Sequence, residues 1–312
     1  MIFEHRSVMP EKVQKHLELG PGNVCVDCTL GGCGHAAAMA EDVWPDGRFI
    51  GIDQDIDAIT NAKSALNSFA SSVSLFHDNF SNLLHILDSL GLDGVDGIVL
   101  DLGLSLHQLT KGKRGFSFQR DEPLDMRMDT RSGKTAADLV NTLTEKELAD
   151  LFFKYGEERM SRRIARSVVK ARQEACIDNS RVFADIVRQA VPAKVAGKQK
   201  IHPATKVFQA LRIAVNRELE HLETFMDHLP DCLNRGGRVC VISFHSLEDR
   251  IVKHGFRSLE NGCTCPRDFP QCVCGFEPKL KSISKKPFFA DKEEVDLNPM
   301  ARSARLRVAE GL

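Results

Sequence analysis

The sequence predicts an α/β fold: a mostly parallel sheet covered by helices on both faces and interrupted by a helical insertion. Three observations carry that reading. Short, near-continuously apolar, β-rich runs alternate with helix-length segments through the first hundred residues, which is how strands buried on both faces read. The strand pattern resumes only after a long helical stretch, so that stretch is inserted within the sheet. The charges divide the same way: residues 1–100 hold 5 Lys and Arg against 14 Asp and Glu, net −9, whereas residues 151–212 hold 14 against 5, net +9.

The strand runs are Val24-Cys25-Val26, Phe49-Ile50-Gly51-Ile52, Val73-Ser74-Leu75-Phe76 and Ile98-Val99-Leu100. Right-handed crossovers place their C-terminal ends along one crevice. Asp27, Asp53, Asp78 and Asp101 stand at or just past those ends, so carboxylates are expected to line it. Glu157 to Glu174 carries Met160, Ile164 and Val168 at four-residue spacing, with Arg162, Arg163, Arg166 and Lys170 over the rest, the pattern of a basic amphipathic helix. Pro192 to Pro203, with Lys194, Lys198 and Lys200 around Gly197, reads as a basic loop. Phe208, Leu211, Val215, Leu219, Leu222, Met226 and Leu229 form one apolar stripe, expected on a single long helix. Gly236-Gly237 precedes a strand at Arg238–Phe244, and Arg305–Val308 is a last one. The sheet domain is therefore expected at 1–105 and 211–312, with a helical, RNA-recognising insertion at 106–210.

Composition excludes little else. With 312 residues, 42% hydrophobic and 27% charged, the chain can bury one large core or two smaller ones. It shows no basic segment followed by an apolar leader, and no apolar run near the ~20 residues of a membrane span. A cytoplasmic protein without a membrane partner is expected. Of ten cysteines, Cys25, Cys28, Cys33, Cys176, Cys232 and Cys240 are scattered and read as reduced thiols.

Asp27-Cys28-Thr29-Leu30-Gly31-Gly32-Cys33-Gly34-His35 joins the first strand to the first helix. Its glycines permit a tight turn and a close backbone approach to a ligand. Gly32-x-Gly34-x-x-Ala37 also satisfies a dinucleotide fingerprint, but a pyrophosphate wants amides and cations. S-adenosylmethionine (SAM) brings a sulfonium and an ammonium, which want carboxylates. Asp27 and Asp101 favour SAM, and Asp53 is placed for the ribose hydroxyls of either cofactor. Each of these aspartates can alternatively cap the helix that follows its strand.

Several segments then resemble one family along nearly the whole chain. They are Gly31 to His35, Asp101-Leu-Gly-Leu-Ser105 with Gln108, Arg114-Gly-Phe-Ser-Phe118, Leu124 to Asp129, Tyr155 to Arg159, His202-Pro-Ala-Thr205, Phe208-Gln-Ala210 and Ser243 to Arg250. In these the chain resembles the RsmH (MraW) family of 16S rRNA cytosine-N4 methyltransferases. The resemblance implies a class I SAM-dependent, Rossmann-like fold with an inserted helical domain. It also implies a target at cytidine 1402 in the decoding region of 16S rRNA within the small ribosomal subunit. By that likeness the SAM contacts fall on Cys33, Gly34, His35, Asp53, Phe80, Asp101 and Gln108. Two departures stand out: the family usually has glycine at Cys33, and Ser-Pro where this chain has Leu106-His107.

Methylating an exocyclic amine requires positioning it and accepting a hydrogen bond from its N–H. Asp101 is the first candidate for that role, with holding SAM as its alternative, and Ser105 and His107 are further candidates. Arg127, Arg162, Arg163, Arg166, Lys198, Lys200 and His245 are candidates for contacting RNA. Against them, Arg127 can simply brace its loop, and Ser246-x-x-Asp249 beside His245 reads as a helix cap. Cys263, Cys265, Cys272 and Cys274 make up the ligand set of a tetrahedral zinc site. Since C-x-C is tighter than the usual C-x2-C knuckle, thiols of a surface loop are the preferred reading and zinc its alternative. Two other functions compete: an assembly factor that binds the small subunit without catalysis, and a nicotinamide-dependent oxidoreductase resting on the glycine pattern alone.

Overall fold

The computed structural model describes residues 7–197, 201–263, 265 and 273–312; Lys198, Lys200 and Cys272 lie outside them. The chain divides into two compact units, Met1–Gly103 with Leu219–Leu312, and Leu104–Glu218.

In the first unit the described residues form one seven-stranded sheet. Its strands are β1 (Val24–Asp27), β2 (Arg48–Asp53), β3 (Val73–His77), β4 (Val95–Asp101), β5 (Leu233–Ser243), β6 (Leu280–Ser282) and β7 (Arg305–Gly311), in the spatial order β3-β2-β1-β4-β5-β7-β6. The first five are parallel and β7 runs antiparallel to both neighbours, which is the class I methyltransferase topology that the motifs implied. Successive side chains leave opposite faces of a strand. Val26, Ile50, Ile98 and Val239 accordingly enter one buried cluster with helices 83–89, 218–232 and 246–261. Cys25, Phe49, Val99 and Cys240 enter another with helices 10–17, 34–43 and 56–65. Both faces being covered explains why these strands read as unbroken apolar runs rather than alternating ones. β6 escaped the sequence reading: only Leu280 of its three residues is buried, too short a pattern to register.

The second unit is helical, with its own core around Phe152, Ile164, Val168, Phe183, Val187 and Leu211. Two expectations are corrected here. The basic helix begins at Ser161 rather than Glu157, because Glu157 is left-handed (φ 48°) and ends the preceding helix, Glu145–Gly156. The apolar stripe from Phe208 to Leu229 does not lie on one helix. Arg217 adopts φ 50° and donates its N–H to Ile213 O, which closes Ala204–Asn216 before Glu218–Cys232 begins. Phe208 and Leu211 enter the helical core, whereas Leu222, Met226 and Leu229 enter the sheet's core. Consequently the helical unit extends to Glu218 instead of ending at residue 210, a boundary that would cut through a helix.

Outside these cores one ionic knot joins the last strand to helix 246–261. Asp249, 9% exposed, accepts from Arg305 Nη1 at 2.9 Å and Arg307 Nε at 2.8 Å, and the two guanidiniums hold its carboxyl below the usual range against the opposing pull of burial. Asp249→Ala should cost about 2–4 kcal/mol, because it leaves Arg307 desolvated and unpaired. A depressed carboxylate stabilises above its unfolded pKa of about 4 and loses that contribution as pH falls further. Melting curves should therefore show the deficit at neutral pH and a closing gap in acid; an equal deficit at both would sink the ionic explanation.

Candidate functional site

The strand order reverses between β1 and β4, where open α/β sheets bind ligands. Asp27, Asp53 and Asp101 are the last residues of β1, β2 and β4, and Asp78 follows β3 directly. Asp27 pairs in register with Gly51 and Val99, so it sits one level below Asp53 and Asp101.

Backbone amides organise this edge. Asp27 Oδ1 accepts from Thr29 N–H at 2.9 Å, and Thr29 Oγ1 accepts from Asp101 N–H at 2.6 Å. Asp53 Oδ2 accepts from Gly31 N–H at 3.0 Å and Oδ1 from Asp55 N–H at 2.8 Å, so this carboxylate shapes the glycine loop. Thr29, absent from the sequence-derived set, ties the ends of β1 and β4 together. Its signal was an aspartate two residues before a hydroxyl residue, the chemistry of an Asx turn.

Helix Gly34–Val43 starts at the end of this loop. A Cβ at Gly34 would stand 2.0 Å from Ser7 Oγ, so any side chain there requires Ser7 to move. Cys33 occupies the left-handed region (φ 66°) that favours glycine, at a cost of roughly 1–2 kcal/mol. Its thiol is buried, accepts from Asn61 Nδ2 at 3.4 Å and is pushed up to about 12, chiefly by burial. The Cβ is thus accommodated inward and the sulfur is an inert neutral thiol. His35 lies in the first turn, its Nε2 3.8 Å from Asp101 Oδ2.

The carboxylates crowd one another. Burial raises Asp27 to about 7, its Thr29 hydrogen bond opposing and Asp53 adding to the rise. Asp101 is raised well above the usual range, by burial first and then by Asp27 and Glu248. Asp101 Oδ1 is buried and has no hydrogen-bond partner among the described residues. A ligand cation would relieve all of these at once. Phe80 is 8% exposed and packs edge-on to Phe225 at 6.0 Å, within the core beneath β2 and β4. Asp78 instead accepts from Asn79 N–H and Asn82 Nδ2, each at 2.7 Å, and so fixes its own turn.

His245 also stands in the first unit, just past β5. Here the expected cap is displaced by one residue: His245, not Ser246, caps helix 246–261. Its Nδ1 accepts from Glu248 N–H, while Glu248 Oε2 accepts from Phe244 and His245 N–H. Asp249, expected in that box, is engaged by the arginines of β7.

The remaining candidates belong to the helical unit. Ser105 caps helix Leu106–Thr110 and forms a reciprocal box with Gln108, in which Leu106 and His107 are the first two helical residues. Arg127 makes a bidentate pair with Asp125, both bonds 2.8 Å, an arrangement that raises Arg127 and holds Asp125 low against burial. Asn216 bridges Met126 O and Met128 N–H, so this segment is braced from two directions. Arg162, Arg163 and Arg166 are exposed on helix Ser161–Glu174, opposite buried Ile164, Ala165 and Val168. Arg166 Nε lies 3.6 Å from Glu145 Oε1. Among the described residues no helix is long and apolar enough to cross a membrane.

One prediction concerns Asp27. A carboxyl whose folded pKa is raised to about 7 loses stability as pH climbs from its unfolded value near 4 through 7. Asp27→Asn should therefore melt higher than the parent at about pH 8, with an advantage that shrinks toward about pH 5. A pH-independent difference would show that Asp27 is not held protonated by the fold.

The profile of the MraW methylase family matches residues 2–312. The chain is 65% identical over 309 residues to the ribosomal RNA small subunit methyltransferase H of Desulforapulum autotrophicum, covering 99% of each chain. It is 52% identical over 311 residues to the protein of that name in Pelobacter propionicus, again covering 99% of each. It is 51% identical over 312 residues to the one in Geobacter sulfurreducens, covering both completely. With that identity sustained from end to end, this chain belongs to the MraW methylase family.

Proposed function

We propose that the protein transfers a methyl group from SAM to N4 of cytidine 1402 in the decoding region of 16S rRNA, acting in the cytoplasm on the small ribosomal subunit. Membership of a methylase family and the printed names of the relatives support the reaction and the RNA class. The observation that carries the cofactor is the set of uncompensated carboxylates at the β1/β4 switch point, above all the partnerless buried Oδ1 of Asp101. That donor set fits a cationic sulfonium and ammonium and would repel a pyrophosphate, which disfavours a nicotinamide dinucleotide.

Asp53 would accept the ribose hydroxyls, the first amides of helix Gly34–Val43 would receive the methionyl carboxylate, and the exposed edge of Phe80 would meet the adenine. When bound, SAM supplies an electrophilic methyl group. The residues of the chain do the rest. Asp27 and Asp101 would ionise against the bound cation, since a nearby positive charge favours the carboxylate, and the desolvated edge strengthens that attraction. Asp101 Oδ1 accepts the N–H of the target amine, orients the nitrogen lone pair, and takes the proton released as the nitrogen acquires its substituent. A carboxylate with a raised pKa is a better acceptor for that proton than an ordinary one. The cytosine must leave any stack to present its amine. Arg162, Arg163 and Arg166 form a positive surface for phosphates, Lys198 and Lys200 add positive charge to the same stretch of sequence, and binding weakens with salt.

The decisive assay incubates the protein with labelled SAM and small subunits lacking their base methylations, then maps the label by mass spectrometry. N4-methylcytidine at one decoding-region position is expected. Label elsewhere would overturn the substrate, and failure to bind SAM would overturn the cofactor. Asp101→Asn should weaken SAM binding by roughly tenfold or more, because it removes a carboxylate that fits the cation, and at saturating SAM should still lose roughly 10²-fold in single-turnover rate. A normal rate would remove Asp101 from the chemistry.

A further inference from the structure

Cys263 and Cys265 follow helix 246–261, and Cys274 precedes β6. Their three sulfurs lie within 4.8 Å of one another, with Cys274 Sγ 3.6 Å from Cys263 Sγ. That separation is far beyond a disulfide bond of about 2.05 Å. It matches the edge of a sulfur tetrahedron about a zinc ion, for which a Zn–S bond of about 2.3 Å gives ~3.8 Å. Val273 N–H donates to Cys265 Sγ at 3.3 Å, which orients that sulfur toward its neighbours.

The surroundings say what such a group would do. On either side of the cluster the chain is pinned to the helix end: Lys279 N–H donates to Leu259 O at 2.9 Å and Ser282 Oγ to Glu260 Oε2 at 2.8 Å. Between Val273 and Lys279 every residue but Phe276 is exposed, Val273 by 73%. A segment with so little apolar burial cannot hold three sulfurs together by packing, whereas a metal can supply that free energy directly.

We propose that Cys263, Cys265 and Cys274 bind a soft divalent cation, zinc by its ligand chemistry, which clasps the segment between helix 246–261 and the edge strand β6. Each thiol gives its proton to water on binding, so uptake strengthens with rising pH. Cys272 lies outside the described residues, and the proposal rests on the three sulfurs alone. The site is structural and separate from the carboxylate edge.

The test uses the full-length protein, purified with reductant and without chelator, equilibrated with zinc and dialysed, with metal counted by plasma mass spectrometry. About one zinc per chain is expected. Cobalt in its place should give thiolate charge-transfer and intense tetrahedral d–d absorption. Cys263→Ser and Cys274→Ser should each weaken zinc retention at least about tenfold, while Cys176→Ser, at an exposed cysteine outside the cluster, leaves it unchanged. In the unaltered chain, zinc should also slow alkylation of Cys263 and Cys274, a readout that needs no variant to fold. Fewer than about one zinc per ten chains overturns the proposal, as does full retention by Cys263→Ser, or a Cys263–Cys274 disulfide in metal-free protein.

Discussion

The burial of a parallel sheet on both faces governs this molecule. Val99, Ile98 and Val239 have no solvent-facing side on which to alternate with polar neighbours, so polar chemistry is displaced to where strands end. Three of the first four strands end on an aspartate, and the same burial that stabilises the strands strips water from those carboxyls. The raised Asp27 and Asp101 are therefore a direct result of the sheet architecture. Functional edges that are strained without their ligand are a common trade of stability for activity.

The helical unit solves a different problem with its own core. Its apolar residues face inward from helices 145–156, 161–174, 180–190 and 204–216, and arginines are left on the outside. Several motif segments also act as structural joints: Arg127 pairs with Asp125, and Ser105 with Gln108. Asn216, outside those motifs, braces the Met126–Met128 backbone.

Long, strongly patterned elements were legible in the sequence. The runs that became β1 to β5 and β7 stood out because burial on two faces makes them continuously apolar, and their terminal aspartates were visible with them. Breaks were not legible. The stripe from Phe208 to Leu229 keeps helical spacing straight through Arg217, since spacing records which side is apolar and not whether the backbone continues. The His245 cap was hidden because imidazole is an uncommon cap beside a serine with the more usual pattern. β6 was hidden by having one buried residue. At Cys33 the sequence showed only a cysteine where the resembling family usually has glycine, and the structure adds a left-handed backbone with the side chain turned inward, against Asn61.

The pairing of β4 with β5 joins Val95 to Leu233 and Asp101 to Ile242, so the sheet's middle seam closes only after the entire helical unit has been made. At roughly 5–20 residues per second, a ribosome takes on the order of 7–30 s to travel from the end of β4 to the end of β5. Through that interval β1 to β4 have no partner along one edge, with Ile98 and Leu100 exposed on a strand that invites pairing with other chains. The helical unit, contiguous in sequence, can fold during the wait. The order of synthesis thus makes the nascent half-sheet the stage most exposed to aggregation, and the stage at which a chaperone has the longest time to act.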